Sequence, residues 1–378
     1  MLPTRPLLRP LALARGLAAL AATLLGCAAP AAAAEPPVLN LYNWAEYIGE
    51  NTIRDFEKET GIHVRYDNFD SNDVLLAKMI AGHTGYDVVF PSSDYASIMR
   101  EAGLLQKLDR SQLPHWGNLS PGVMALMGKL DPGNQYMVPW LGGSVSVGYN
   151  VDKVRAALGG EPLPSNPFEL VFNPKYTAKL KACGISLLDS ASDLFPSALI
   201  YVGKRAYSND ATDYQAAAAM LQKVRPDIGL FSYNGYIQDL ASGQICVALG
   251  YGGDFNNAAQ RAQAAGTGVH IAAPLPPGGV QFGFESMVIP ADAPHPEAAL
   301  RWIDFILRPE VQAAITNKVT FTSPNRAARP FVRPDVLANP IAFPPDDYLQ
   351  TKVQFYEVRR HETRRTMTRL YTRFKSGI

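Results

Sequence analysis

The stretch Val38-Leu39-Asn40-Leu41-Tyr42-Asn43-Trp44-Ala45-Glu46-Tyr47 begins as an apolar run and ends with aromatic rings and a carboxylate. The run predicts a β-strand, and the rings and the acid stand where that strand ends. Aromatic faces attract an organic cation and a carboxylate neutralises it, so Trp44, Glu46 and Tyr47 have the chemistry to hold such a ligand. An ordinary strand end is the alternative, because large aromatic side chains usually belong to a core.

The residues that follow alternate between helical and extended patterns. Helices are predicted at 51–60, 71–81 and 93–102, and strands at 62–66 and 86–91. This alternation predicts an α/β fold with a mostly parallel sheet covered by helices. Because ligands of such sheets bind at the carboxyl ends of the strands, the first strand end is expected to lie near Ser92 and Asp94.

A second α/β pattern follows, in which acids again stand beside aromatic residues or near a predicted strand end. Its strands are predicted at 184–189, 245–251, 269–274 and 286–290, and its helices at 193–203, 213–224 and 296–307. The groups are Tyr251 with Asp254, Phe284 with Glu285, and Asp189 with Asp193. Each acid could instead cap a helix or stabilise a turn, but their recurrence near strand ends favours a shared ligand site.

The composition bounds the possible partners. The chain has 378 residues, a formal net charge of +1 and 18% charged residues, which is ordinary for a globular protein of about two domains. Such a balance supplies no long-range field to steer nucleic acid, so no nucleic-acid partner is predicted. The basic cluster at 359–365 is interpreted as a solvated helix face.

Residues 1–34 are predicted to form an export signal, because three arginines precede an apolar run that ends near the Ala-x-Ala site at 32–34. Cys27 follows Leu24-Leu25-Gly26, which resembles a bacterial lipobox; it is either lipidated or discarded with the signal. Cys183 and Cys246 remain, and in an oxidising compartment they are expected to pair. No later apolar run reaches about 18 residues, so the mature protein is predicted to be soluble.

Sequence motifs for catalysis are absent. The chain contains no His-Glu-x-x-His, Gly-x-Ser-x-Gly, phosphate-loop or dinucleotide-binding motif, and its six histidines show no metal-ligand spacing. The sequence therefore predicts no enzyme activity, no cofactor and no metal site.

Collinear stretches identify a family resemblance that spans residues 38–377. They are 41–48 (LYNWAEYI), 56–62 (FEKETGI), 69–72 (FDSN), 148–153 (GYNVDK), 307–309 (LRP) and 375–377 (KSG). In these stretches the chain resembles the extracytoplasmic polyamine-binding proteins of ABC importers, the putrescine- and spermidine-binding group. The Cys183 and Cys246 positions resemble the disulfide of the putrescine-binding branch.

The resemblance implies a two-lobe periplasmic-binding-protein fold of type II, with the ligand in the cleft between the lobes. Lobe 1 would comprise 35–143 and 257–307, and lobe 2 would comprise 144–256 and 308–378. The implied function is periplasmic capture of a polyamine or related organic cation for an ABC permease in the inner membrane, by a monomer that does no chemistry on its ligand.

The resemblance also assigns roles at matching positions. Trp44 and Tyr47 would flank the methylene chain of the ligand, and Ser92 would hydrogen-bond near one amine. Tyr251, in place of a family Trp, and Phe284 would add ring area. The ammonium groups would pair with Glu46, Asp193 (a Glu in the family), Asp254 and Glu285 (an Asp in the family).

Other positions depart from the family pattern. Gly142 and Gly283 replace rings, which predicts a wider cleft. Glu285 is one methylene longer than the family Asp, and Asp94 adds an acid where other members carry Ser or Tyr. A wider, more acidic cleft suits a cation that is longer, bulkier or differently spaced in its charges than putrescine; alternatively, water fills the room and the ligand is unchanged.

Two further functions remain open at this point. A sensory receptor of the same fold would signal by closing on a partner. An exported α/β hydrolase would need a nucleophile and a base, and the sequence shows no such pair.

Overall fold

The computed structural model describes residues 37–378. The predicted signal segment and Cys27 lie outside the described residues. The strands are β1 Val38–Trp44, β2 His63–Phe69, β3 Val88–Val89, β4 Val138–Asn150, β5 Ile185–Leu188, β6 Leu230–Ser232, β7 Val247–Tyr251, β8 Ile271–Ala272, β9 Val280–Met287 and β10 Val353–Phe355.

Helices surround these strands. They are α1 Thr52–Thr60, α2 Asn72–Ala81, α3 Ser93–Glu101, α4 Pro121–Met127, α5 Val151–Leu158, α6 Glu169–Phe172, α7 Pro174–Leu180, α8 Ala191–Tyr201, α9 Ala211–Val224, α10 Gly235–Ser242, α11 Gly252–Ala264, α12 Pro296–Ile306, α13 Pro309–Val319, α14 Pro334–Leu337, α15 Asp346–Thr351 and α16 His361–Ser376. None of the helices in this part of the chain is long and apolar enough to cross a membrane.

Two sheets organise the chain. The first has the order β2-β1-β3 and is entirely parallel, as the alternation of the first ninety residues predicts. The second has the order β10-β9-β4-β7-β5-β6, with β8 paired to β4. It is mixed, because β4 runs antiparallel to both β7 and β9 whereas β5 runs parallel to β6 and β7.

Strand β4 connects the two halves of the molecule. Its first residues, Val138 and Trp140, are buried in an N-terminal core with Leu39, Leu41 and Trp302. Its later residues contribute to a larger core built on β5, β7 and α9. One strand therefore crosses from the core of the first half to that of the second.

The packing of the later helices bears on the lobe boundaries. The predicted division at 257 falls inside α11, whose Ala258 and Ala262 belong to the larger core. The predicted division at 307 precedes α13, whose Ile315 and Val319 pack in the N-terminal core. We propose that the divisions lie after α11 and after α13, because a helix keeps its apolar face on one core.

The predicted cysteine pair is confirmed. Cys183 and Cys246 are joined by a disulfide across 63 residues of sequence. Cys183 directly precedes the Gly184 turn into β5, and Cys246 directly precedes β7. Because β5 and β7 pair in parallel, the bond fastens the starts of two neighbouring strands.

Candidate functional site

The end of β1 is held rigidly against its neighbours. The Trp44 Nε1 group donates a 2.8 Å hydrogen bond to the carbonyl oxygen of Phe90, and its ring lies 4.4 Å from that of Phe69. Tyr47 is buried, and its ring meets Phe321 edge-on at 4.7 Å. The aromatic residues at this strand end are thus fixed in place by contacts from three other segments.

These rings border a cavity of about 240 Å³. Its walls come from both halves of the molecule. Tyr47 and Phe321 belong to the N-terminal core, and Ile237 and Tyr356 belong to the larger core. Eight of the ten predicted binding residues line it: Trp44, Glu46, Tyr47, Ser92, Asp193, Tyr251, Asp254 and Glu285.

Asp193, Asp254 and Glu285 form a set that we call the enclosed carboxyls. Asp193 accepts hydrogen bonds from Ser190 Oγ (2.5 Å) and from the Tyr251 hydroxyl (3.1 Å). Enclosure by protein raises the pKa of Asp193 to about 6, although the Ser190 hydrogen bond opposes that rise.

The other two enclosed carboxyls are each held by one tyrosine. The Tyr236 hydroxyl donates to Asp254 (2.5 Å), and the Tyr47 hydroxyl donates to Glu285 (3.1 Å). Enclosure raises the pKa of Asp254 to about 7 and that of Glu285 to about 8. Without a cation, these carboxyls therefore stay protonated at pH values well above those at which a carboxyl usually loses its proton.

Helix starts position several of these acids. Asp94, Asp193 and Asp254 stand in the first turns of α3, α8 and α11. The partial positive charge of a helix N-terminus favours a carboxylate there. The capping interpretation of Asp193 is not what the structure shows, because its side chain bonds Ser190 Oγ and the Tyr251 hydroxyl rather than a backbone N–H.

Glu46 lines the cavity but is already partnered. Its carboxylate pairs with the guanidinium of Arg261 on α11, and its side chain is 55% exposed at the rim. Its backbone is left-handed, with φ of 57°. The pair joins the loop after β1 to a helix of the larger core, so it ties the two sides of the cavity together.

Two predicted binding residues do not line the cavity. Phe284 is buried among Phe282, Val288 and Met137, because neighbouring residues of a strand point to opposite faces and Glu285 takes the cavity face. Asp94 lies behind Ser92, whose hydroxyl donates to it at 2.6 Å.

The prediction of a cleft widened at Gly142 and Gly283 is wrong. A Cβ atom at Gly142 would collide with the ring of Phe284, and one at Gly283 would collide with the ring of Tyr356. Both spaces are filled by rings from elsewhere in the chain. Tyr356 also lines the cavity, so its ring takes the place of the ring that is missing at Gly283.

Several lining residues escaped the sequence reasoning. Tyr356, Phe321 and Tyr233 add rings, and Arg261 adds a cation. Phe321 and Tyr233 lie in short connecting segments with no acid beside them, so no local signal marks them. Tyr356 stands between β10 and Glu357, which is the same ring-and-acid pattern at a strand end, but no strand is predicted from the sequence at 353–355.

The lining offers carboxyls, hydroxyls and ring faces. In residues 37–378, no group of three or more His, Cys, Asp or Glu side chains is arranged to hold a metal ion. Ring faces and carboxylates together suit an organic cation. A cavity of this chemistry between two α/β halves defines a solute-binding protein of the two-lobe class.

The chain belongs to the family of bacterial extracellular solute-binding proteins, whose model matches residues 51–344. It is 42% identical to the putrescine-binding periplasmic protein SpuD of Pseudomonas aeruginosa, over 95% of this chain and 97% of that protein. It is 41% identical to the putrescine-binding periplasmic protein PotF of Escherichia coli, over 94% and 96%.

A solved structure agrees with these relatives. The protein from Listeria monocytogenes described as a spermidine/putrescine ABC transporter superposes with a TM-score of 0.78 at 28% identity, covering 89% of this chain and 98% of that one. The two-lobe fold and the family resemblance are thereby confirmed. The two relatives are thus named as periplasmic binding proteins, and the solved structure is named as part of an ABC transporter.

Proposed function

We propose that this protein captures a polyamine or a related organic cation outside the cytoplasm and delivers it to an ABC-type permease in the inner membrane. The observation that carries the proposal is the set of three enclosed carboxyls in a cavity walled by aromatic rings. The two relatives and the solved structure named above, all three of which carry putrescine in their names, support the same assignment.

A cationic ligand would neutralise the carboxyls that this cavity encloses. Carboxylates removed from water are costly unless a cation neutralises them, and the enclosed carboxyls have no ion-pair partner among the described residues. Ammonium groups would replace their protons, while Trp44, Tyr47 and Tyr251 would cover the carbon chain. Asp193 and Asp254 lie on the second half, opposite Trp44 and Tyr47 on the first, so one ligand would hold both sides.

Closure follows from this arrangement. With the cavity empty and the enclosed carboxyls ionised, water reaches them most easily in an open form, so an open, hydrated cleft is favoured at a pH above their pKa values. A cation that contacts both sides binds the closed form better and shifts the population towards it. The Glu46–Arg261 pair at the rim then adds one more contact between the sides.

We propose further that the protein acts in the periplasm as a monomer and catalyses no reaction. A hydrolase needs a nucleophile beside a base. Two hydroxyls near the cavity, Ser92 and Ser190, donate to the carboxylates Asp94 and Asp193 instead of to a histidine. A receptor that signals instead of feeding a permease would use the same cavity, and loss of polyamine uptake on deleting the gene separates the two.

Calorimetric titration with putrescine, cadaverine, agmatine, spermidine and spermine tests the ligand class. We expect at least one to bind, and Asp254→Asn to weaken that binding between 10- and 100-fold, as expected when a hydrogen bond to a charged group is lost. Asp346→Asn, at an exposed position on α15, is the matched control and should bind like the unaltered protein. A folded protein that binds none of the five compounds refutes the proposal.

A further inference from the structure

A buried ion pair lies directly behind the cavity wall. Asp94 is 7% exposed, and one of its oxygens accepts the 2.6 Å hydrogen bond from Ser92 Oγ. Its other oxygen lies 3.8 Å from Nη2 of Arg359, which is 4% exposed. Asp94 stands on α3 of the first half, and Arg359 follows β10, so the pair bridges two distant parts of the chain.

The guanidinium of Arg359 is close to the cavity without entering it. It lies 5.2 Å from the ring centroid of Tyr207, and that ring lies 6.0 Å from the ring of Tyr356, which lines the cavity. Its Nε and Nη1 groups have no hydrogen-bond partner among the described residues. A full positive charge thus stands one side chain behind the wall, balanced by Asp94 on its other flank.

The pair also determines what Ser92 can do. A serine hydroxyl has one hydrogen, and an ionised carboxylate can only accept. Ser92 therefore gives its hydrogen to Asp94 and keeps its lone pairs for the cavity that it lines. In that state Ser92 is an acceptor, which suits an ammonium group and offers nothing to a carboxylate or a carbonyl.

We propose that Asp94 and Arg359 are a charge-balanced positioning pair, which holds Ser92 as an acceptor for a terminal ammonium group and keeps this end of the cavity neutral. The inference rests on the proposed function and deepens it. Asp94 adds no negative charge for the ligand, because Arg359 cancels it. The cation is then matched by the enclosed carboxyls alone.

The two members of the pair make opposite electrostatic contributions. Asp94→Asn leaves the buried charge of Arg359 unbalanced near the bound ammonium, and at this range a single charge weakens binding roughly tenfold or more. Asp94→Asn/Arg359→Met removes both charges, and an uncharged replacement of a buried pair is often tolerated. The amide oxygen introduced at position 94 can still accept the Ser92 hydrogen. Arg359→Met removes the positive charge from behind the wall, so an ammonium ligand should bind at least as tightly as it does to the unaltered protein.

The test is calorimetric titration of putrescine and spermidine at pH 8.5 into the full mature protein and these three variants. Thermal melting establishes that each variant is folded. Arg365→Met, an exposed arginine of α16, and Asp346→Asn serve as matched controls. We expect Asp94→Asn to bind at least tenfold more weakly, and the double variant to recover to within about threefold of the unaltered protein.

The recovery is the decisive readout. A pair that serves only packing predicts that the double variant binds as weakly as Asp94→Asn or more weakly, and that result overturns the inference. If Arg359→Met alone does not fold, Asp94→Asn and the double variant decide the question without it. Failure of the unaltered protein to bind any polyamine refutes the proposed function itself, which distinguishes the two failures.

Discussion

Lowering the pH from 8.5 to 5.5 should weaken the binding of putrescine by roughly two orders of magnitude. The enclosed carboxyls have raised pKa values, so the empty protein holds protons where a bound ammonium group needs a carboxylate. Protons and ligand therefore compete. Affinity should rise with pH until the enclosed carboxyls that pair with the ligand have ionised.

The magnitude follows from the individual groups. At pH 5.5 a carboxyl with a pKa of about 7, such as Asp254, is roughly 3% ionised, which costs about 30-fold in affinity. Asp193, with a pKa of about 6, is roughly a quarter ionised at pH 5.5, which lowers the affinity by a further factor of about four. A diamine carries two charges, so two carboxyls suffice to pair with it; the two with the lowest pKa values enter this product, and Glu285, whose pKa is about 8, is left out.

The stability of the empty protein should change in the opposite direction. Because the pKa values of the enclosed carboxyls are higher in the folded than in the unfolded chain, their contribution to stability is fully present below about pH 4 and is lost as the pH rises through 6 to 8. The melting temperature without ligand should therefore fall between pH 5.5 and 8.5.

Calorimetry at pH 5.5, 7.0 and 8.5 measures the first effect, and two buffers of different ionisation enthalpy count the protons released. Asp254→Asn should flatten the pH dependence, because that variant has no proton to lose at this position. An affinity that stays within about threefold across this range, with the protein folded throughout, contradicts the assignment of these carboxyls to the ligand.

Two predictions concern stability. Cys183→Ser removes a cross-link between residues 63 apart, which should cost about 4 kcal/mol of unfolding free energy in urea titrations; a loss below about 1 kcal/mol contradicts this. Gly283→Ala should cost about 1–3 kcal/mol and weaken ligand binding, because the added Cβ displaces the Tyr356 ring. Gly278→Ala, in open space, is its control, and equal melting temperatures for the two variants would refute the packing argument.

The local patterns predicted much of the fold. The apolar run before Trp44 became β1, and the alternation up to residue 102 became a parallel sheet with its helices. The acids at the starts of α8 and α11 line the cavity because a helix that follows a strand begins at the carboxyl edge of the sheet. These features depend on residues close together in the chain, where spacing carries information.

The errors concern what the chain brings together from a distance. The phase of β9 puts Glu285 towards the cavity and Phe284 away from it, and only the pairing with β4 sets that phase. The space over Gly283 is filled by Tyr356, 73 positions away. Arg359 changes the meaning of Asp94 in the same way. No spacing rule in the sequence connects such residues. A departure from the family pattern that is interpreted without its distant partner therefore predicts the wrong shape and charge for the cavity.

The exposed ion pair between Glu46 and Arg261 separates two properties of the protein. Dissolved salt screens charges at a rim within about 8 Å at 0.15 M ionic strength, whereas charges inside the closed cavity are screened far less. Raising the ionic strength should therefore shorten the time for which the cavity stays shut while leaving its preference among cations unchanged. How long a ligand is kept would then depend on the surrounding medium, and which ligand is kept would depend on the protein alone.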